Sequence, residues 1–126
     1  MGVGIVATLK IKPEKTEEFE STFKELLSIV AEKEPGNNYY DLHRSREEEA
    51  TYVVMEQYVD QAALDVHGKS DEFKATSTKL GGCLAGAPEI KIFDAAAQHT
   101  SPASLSNKAS SAPAEVASLR ARILSI

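Results

Sequence analysis

Tryptophan is absent from this chain, cysteine occurs once, and aromatic residues of every kind make up only 6% of it. With Cys83 alone, no internal disulfide and no thiolate-rich metal site can form, and a reducing, cytoplasmic setting is expected. No apolar stretch approaches the roughly 20 residues that span a bilayer. No charged segment followed by an apolar core marks a secretory leader. Val6 stands where N-myristoylation at Gly2 would want Ser or Thr. Basic runs are missing too: 14 Lys and Arg stand against 19 Asp and Glu, a net charge of -5. Phosphate backbones are held by clustered cations, so neither nucleic acid nor a membrane is expected as a partner.

Missing motifs narrow the chemistry further. Gly68-Lys69-Ser70 looks like the end of a phosphate loop, but Ala63 stands where that loop needs its first glycine. There is no Gly-x-Gly-x-x-Gly stretch for a dinucleotide and no Gly-x-Ser-x-Gly setting for a serine nucleophile. His43, His67 and His99 include no pair at the i, i+4 spacing of a helical zinc site. No metal is therefore expected, leaving open only a site that shares a histidine from each of two subunits. Cys83, between Gly82 and Leu84, reads as a small buried hydrophobe.

What is present suffices for a core: 42% of 126 residues are hydrophobic, the size and make-up of one domain. Residues 3–11 alternate, with Val3, Ile5, Ala7, Leu9 and Ile11 on one face, the mark of a strand. Pro13 then suits the first turn of a helix. Phe19, Phe23, Leu26 and Val30 follow i, i+4, i+7, i+11, a single helical stripe running to about Glu34. Pro35-Gly36-Asn37 turns the chain. A second strand is expected over 38–46, with Tyr40, Leu42 and Arg44 on one face and Tyr39, Asp41, His43 and Ser45 on the other. A third covers about 51–59. A helical region spans roughly 61–80, capped by Asp60, broken near Gly68 and restarted by Ser70. Glu89–Phe93 is a fourth, short strand.

The order βαββαβ predicts an α+β fold, ferredoxin-like, with two helices on one face of a four-stranded antiparallel sheet. The other face would carry residues such as Val54 or Met55, Tyr58 and part of the Tyr39/Tyr40 pair. A bare face of that kind is expected to pack on the same face of a second copy. The resulting homodimer would enclose a cavity between two sheets for a small aromatic or hydrophobic ligand. Residues 1–94 thus form the domain. Residues 95–112, rich in Ala, Ser, Thr and Pro, read as a linker holding His99, and 113–126 as a short C-terminal helix with Val116, Leu119 and Ile123 on one side.

The stretch 52–73 is the most informative. Glu56 and Tyr58 are two apart on a strand and share a face. Ala63, Leu64 and His67 are spaced so that the imidazole sits beside a buried helical stripe. A carboxylate, a phenol and an imidazole converge on this reading at one end of the sheet; the plainer reading is a structural histidine with its hydrogen bonds satisfied. His43 shares a mixed strand face with Asp41, which could hold its tautomer, and exposed surface is the plainer reading there as well.

The chain resembles the antibiotic biosynthesis monooxygenase-like proteins, small quinol monooxygenases among them. The likeness lies in Leu9-Lys-Ile-Lys-Pro13, in Glu34-Pro-Gly36 followed by Tyr40-Asp-Leu-His-Arg44, and above all in Met55-Glu-Gln-Tyr58, Asp60, Ala63-Leu64, His67, Ser70 and Phe73. It covers about residues 3–94. It implies a dimeric α+β barrel and oxidation of an electron-rich phenol, quinol or polyketide-type aromatic by dioxygen as co-substrate, with no flavin, haem or metal cofactor. His67 matches the family's helix histidine and Glu56 its strand acid, while Tyr58 stands where members often have Trp. The haem-degrading branch wants Asn, Trp and His where this chain has Ala7 or Thr8, His67 and about Ser77, so haem breakdown is not expected.

These residues suit a reaction in which an electron-rich anion passes an electron to dioxygen, which asks for a base, an oxyanion donor and a dry cavity. His67 is the expected base, Tyr58 the donor to the substrate oxygen, and Glu56 the group that orients a partner or the substrate hydroxyl. Tyr40, His43, Met55 and Phe73 are the expected substrate-binding residues. Two other readings stand beside this one: a non-catalytic dimer that binds a small hydrophobic metabolite, and an isomerase or decarboxylase acting on a small carbonyl compound.

Overall fold

The computed structural model describes residues 2–98. Strand β1 (Val3–Lys10) leads through a single 3-10 turn (Pro13–Lys15) into helix α1 (Thr16–Lys33). Strands β2 (Asn37–Arg44) and β3 (Thr51–Tyr58) follow, then helices α2 (Gln61–Lys69) and α3 (Asp71–Gly81), then strand β4 (Glu89–Asp94). All neighbouring strands are antiparallel, in the order β2-β3-β1-β4. This is the α+β, ferredoxin-like arrangement that the order of elements predicts.

Alternation in β1 drives the layering. Val3, Ile5, Ala7 and Leu9 are buried beneath the helices, while Gly4, Val6 and Thr8 look the other way. The α1 stripe of Phe19, Phe23, Leu26 and Val30 is buried against them. Phe19 packs tilted on Phe23 and Tyr52, with ring centroids 5.7 and 4.8 Å apart. Such ring pairs add about 0.5–1.5 kcal/mol each beyond their buried area.

Two caps set the helices that carry the site. Asp60, in extended backbone, accepts a hydrogen bond from the Ala63 amide at 2.9 Å and starts α2. The break between α2 and α3 falls at Ser70 rather than near Gly68, which lies buried inside α2. Ser70 takes an extended conformation and its hydroxyl accepts from the Phe73 amide, so the cap, and not the glycine, ends one helix and begins the next. Gly36 lets the start of α2 approach the α1–β2 turn: a Cβ there would lie 2.5 Å from the Ala63 Cβ.

The face of the sheet without helices exposes Tyr39, Met55 and Phe93. Of the open alternatives it takes Met55 and not Val54, and Tyr39 and not Tyr40; Tyr58 is not on it, contrary to the sequence-based expectation. Val3 pairs with Tyr58 and Ala7 with Val54, so both join the buried side of β1, and Tyr40 lies beside Glu56 on that same side. No helix among the described residues is long and apolar enough to cross a membrane. His99, most of the expected linker and the expected helix over 113–126 lie outside the described residues.

Candidate active site

Three elements bring the site together under the helices. His67 lies one turn after Leu64 on the inner side of α2, and only 1% of it is exposed. Glu34, the residue that ends α1, is 7% exposed and meets it there. Both carboxylate oxygens lie within hydrogen-bond reach of His67 Nδ1, at 2.8 and 3.0 Å. A carboxylate only accepts, so the ring proton is held on Nδ1. That leaves Nε2, buried and without a hydrogen-bond partner. Three rings surround the imidazole: Phe73 with centroids 4.2 Å apart, and Tyr40 and Tyr58 at 5.4 Å each.

Glu56 supplies a second carboxylate from β3. It is 4% exposed and accepts a hydrogen bond from the Tyr58 hydroxyl at 3.1 Å. Burial raises its carboxyl above the ordinary carboxylate range, against the opposing pull of His67 and of the Tyr58 bond. Burial likewise pushes the Tyr58 and Tyr40 hydroxyls well above the usual phenol value, and the nearby Glu56 and Glu34 push the same way. Both phenols therefore remain proton donors across neutral pH.

Between sheet and helices lies a cavity of about 40 Å³. Its walls are apolar, with Phe19, Phe23, Val54, Phe73 and Leu80 among them, and its polar members are His67, Glu56 and Tyr40. His67 lines the cavity and Glu34 does not. The volume is well below the roughly 150 Å³ that accommodates a benzene ring, so a ring can enter only if a wall gives way.

Of the residues expected from sequence, the structure brings His67, Glu56, Tyr58, Tyr40 and Phe73 together. Met55 and His43 lie elsewhere: both are exposed on the opposite face of the sheet, because β3 and β2 alternate and their neighbours Glu56 and Leu42 take the inner side. The cavity, too, sits within one chain, beneath the helices, and His67 is sealed there instead of lying at the rim of an inter-sheet chamber. Tyr58 has its hydroxyl committed to Glu56 and does not line the cavity. Glu34 was read from the sequence only as the end of the helix and as part of the Glu34-Pro-Gly36 likeness, not as a site residue. Beyond that likeness its physical signal was position, since a carboxylate at a helix C-terminus opposes the helix dipole.

Other chemistry-bearing groups are accounted for. The Cys83 thiol is buried and donates to Glu18, and burial pushes its pKa up to about 11, so it stays protonated. Among the described residues no group of three or more His, Cys, Asp or Glu is placed to hold a metal ion. Besides His67 Nε2, the hydroxyl of Ser77 on α3 is the other buried side-chain polar atom there without a partner.

This fold and this histidine-bearing helix place the protein in a known class. The family model for antibiotic biosynthesis monooxygenase matches residues 2–79. The Bacillus subtilis protein YcnE, whose name makes it a monooxygenase only provisionally, is 39% identical over 82 residues, which span 65% of this chain and 84% of that relative. A crystal structure from Caulobacter crescentus, provisionally named an antibiotic biosynthesis monooxygenase, shares 45% identity at a TM-score of 0.75, covering 76% of this chain and 91% of that one. SnoaB, a cofactor-independent oxygenase from Streptomyces nogalater, is 24% identical with a TM-score of 0.66, over 77% of this chain and 95% of its own, a likeness of fold. The chain belongs to the antibiotic biosynthesis monooxygenase family.

Proposed function

We propose that this protein is a cofactor-independent monooxygenase that oxidises a small phenol, quinol or polyketide-type aromatic with dioxygen, working as a cytoplasmic homodimer. The observation that carries the proposal is the Glu34–His67 pair, which holds the ring proton on Nδ1 and leaves Nε2 without a partner on a residue that lines an apolar cavity. A substrate hydroxyl gives its proton to Nε2, and Glu34 stabilises the imidazolium that forms. The substrate anion is then rich enough in electrons to pass one to dioxygen. One oxygen atom enters the product and the other leaves as water, and the substrate supplies all the electrons. Tyr40 donates to the substrate oxygen, Glu56 orients its hydroxyl, and Tyr58 holds Glu56 in place. Phe73 is a wall. Met55 and His43 have no part in this chemistry.

Oxygen uptake over a panel of quinols and phenols, with no added cofactor, tests the reading. General acid–base catalysis contributes about 10²–10⁴-fold, so His67→Ala is expected to lower turnover by that factor. Full turnover in that variant overturns the assignment. Turnover without oxygen would point instead to an isomerase or decarboxylase, and tight binding with no product to a carrier of a hydrophobic metabolite.

A further inference from the structure

Among the described residues two buried side-chain polar atoms lack a hydrogen-bond partner, His67 Nε2 and Ser77 Oγ. The first is the base of the proposed reaction, and the second has no task in it. A buried hydroxyl without a partner costs stability, and alanine would fill nearly the same space without that cost. Exposed hydroxyls on the helices do find partners. Ser28 donates to the Lys24 carbonyl at 3.3 Å and Thr78 to the Lys74 carbonyl at 3.0 Å, each one turn back along its own helix. Ser77 stands next to Thr78 and is 8% exposed, yet it makes no such bond to Phe73.

Ser77 lies between two walls of the cavity. Phe73, Ser77 and Leu80 are spaced i, i+4, i+7 and share the buried face of α3. Phe73 and Leu80 border the cavity, which at about 40 Å³ stops short of Ser77. Phe73 marks the His67 end, its ring packed on the imidazole with centroids 4.2 Å apart. Tyr40, with its ring 5.4 Å from the imidazole, belongs to that end too. Ser77 follows Phe73 by one helical turn, about 5.4 Å. A ring that pushes the walls apart and lies along α3 from His67 toward Leu80 therefore comes up against the Ser77 hydroxyl.

We propose that Ser77 is a specificity-determining residue, whose hydroxyl binds a second oxygen on the substrate, remote from the hydroxyl that gives its proton to His67. The inference rests on the reading of this cavity as the substrate site and narrows the substrate class to aromatics with two well-separated oxygens. Serine both donates and accepts, so the remote group is equally a hydroxyl or a carbonyl. Such a substrate satisfies both orphan atoms at once, and a phenol with one oxygen satisfies only Nε2. A site built to hydrogen-bond a substrate oxygen discriminates against the analogue that lacks it.

Anaerobic titration calorimetry of the full chain tests this with matched probes, phenol against hydroquinone and naphthol against naphthohydroquinone. The parent is expected to bind each two-oxygen probe about tenfold more tightly than its one-oxygen mate. Ser77→Ala is expected to erase that preference, to leave the one-oxygen affinities unchanged, and to melt no lower than the parent. A preference that survives in S77A, an equal loss for both members of a pair, or a parent without preference overturns the inference. So does a lower melting temperature, which would give the hydroxyl a structural partner. Oxygen uptake is scored separately. A Ser77-dependent preference with no uptake overturns the oxygenase reading and leaves Ser77 as a binding residue, and uptake without the preference does the reverse.

Discussion

Replacing Glu34 by glutamine separates the two tasks of its carboxylate, filling space and holding a proton in place. The amide has nearly the same shape, so the packing around a side chain with 5% exposure is kept. What changes is the hydrogen bond to Nδ1, now 2.8 and 3.0 Å from two oxygens that only accept. An amide can turn its NH₂ to the ring just as well as its oxygen. When it does, the proton moves to Nε2, the atom with no partner, and the base is lost. The imidazolium also loses the charge beside it. A hydrogen bond to a charged group contributes about 1.5–3 kcal/mol, which alone is a factor of about 10–150. With the wrong tautomer added, amide replacement in buried acid–imidazole pairs reaches about 10⁴ in turnover. Glu34→Gln is therefore expected to lose about 10²–10⁴ in kcat and, by the same lost bond, to melt about 5–20 °C lower. Nitrogen-15 NMR of the imidazole reads the tautomer directly and needs no substrate. In its neutral form the parent ring should show Nδ1 protonated and Nε2 bare, and the variant an inverted or mixed ring. A parent ring protonated on Nε2 would refute the reasoning, as would a variant with unchanged ring signals and full turnover.

Burial raises the Glu56 carboxyl, so the folded chain holds a proton there that the unfolded chain releases; the stability this contributes is complete below the ordinary carboxyl range and is lost as pH rises through the raised value. Glu56→Gln is accordingly expected to melt above the parent near pH 8 and to lose that advantage near pH 4; a pH-independent gap in thermal melts would contradict it. Tyr58→Phe removes the donor to Glu56 and should lower turnover about tenfold with KM little changed, as steady-state kinetics would show. Gly36→Ala should destabilise by about 1–3 kcal/mol in chemical denaturation through its clash with Ala63, with part of the loss recovered when Ala63→Gly is added; strict additivity would mean the two positions do not touch.

Local pattern made the elements legible and left the pairing of faces open. Strand β1 alternates cleanly, and the α1 stripe is apolar on one side only, so both faces could be read from the sequence. Strand β3 is different: Tyr52, Val54 and Tyr58 lie on one parity, Val53 and Met55 on the other, and both are apolar. Period-two counting cannot choose between them. The choice comes from register, Leu9 against Tyr52 and Val3 against Tyr58, which is a long-range property. That is why Tyr58 was expected on the open face and Met55 in the site. The Glu34–His67 bond joins residues 33 apart in sequence, so local rules could reveal only that an acid ends α1 against its dipole.

The two ends of the inner sheet face differ in a way that bears on function. At one end the Tyr52 hydroxyl donates to Glu20, which also binds Arg44 at 3.1 Å. Arg44 is 66% exposed there and Glu20 28%, so solvent shares the cost of the charges. A cluster of this kind is explained by structure alone. At the other end two carboxylates and an imidazole are sealed from water, where hydrophobic side chains of similar size would serve stability as well or better. One carboxyl is pushed upward by its burial, and Nε2 has no partner. These departures from the rules of a stable core converge on one small cavity, which is where the proposed chemistry is assigned. A bare nitrogen of this kind is what the proposed proton abstraction requires.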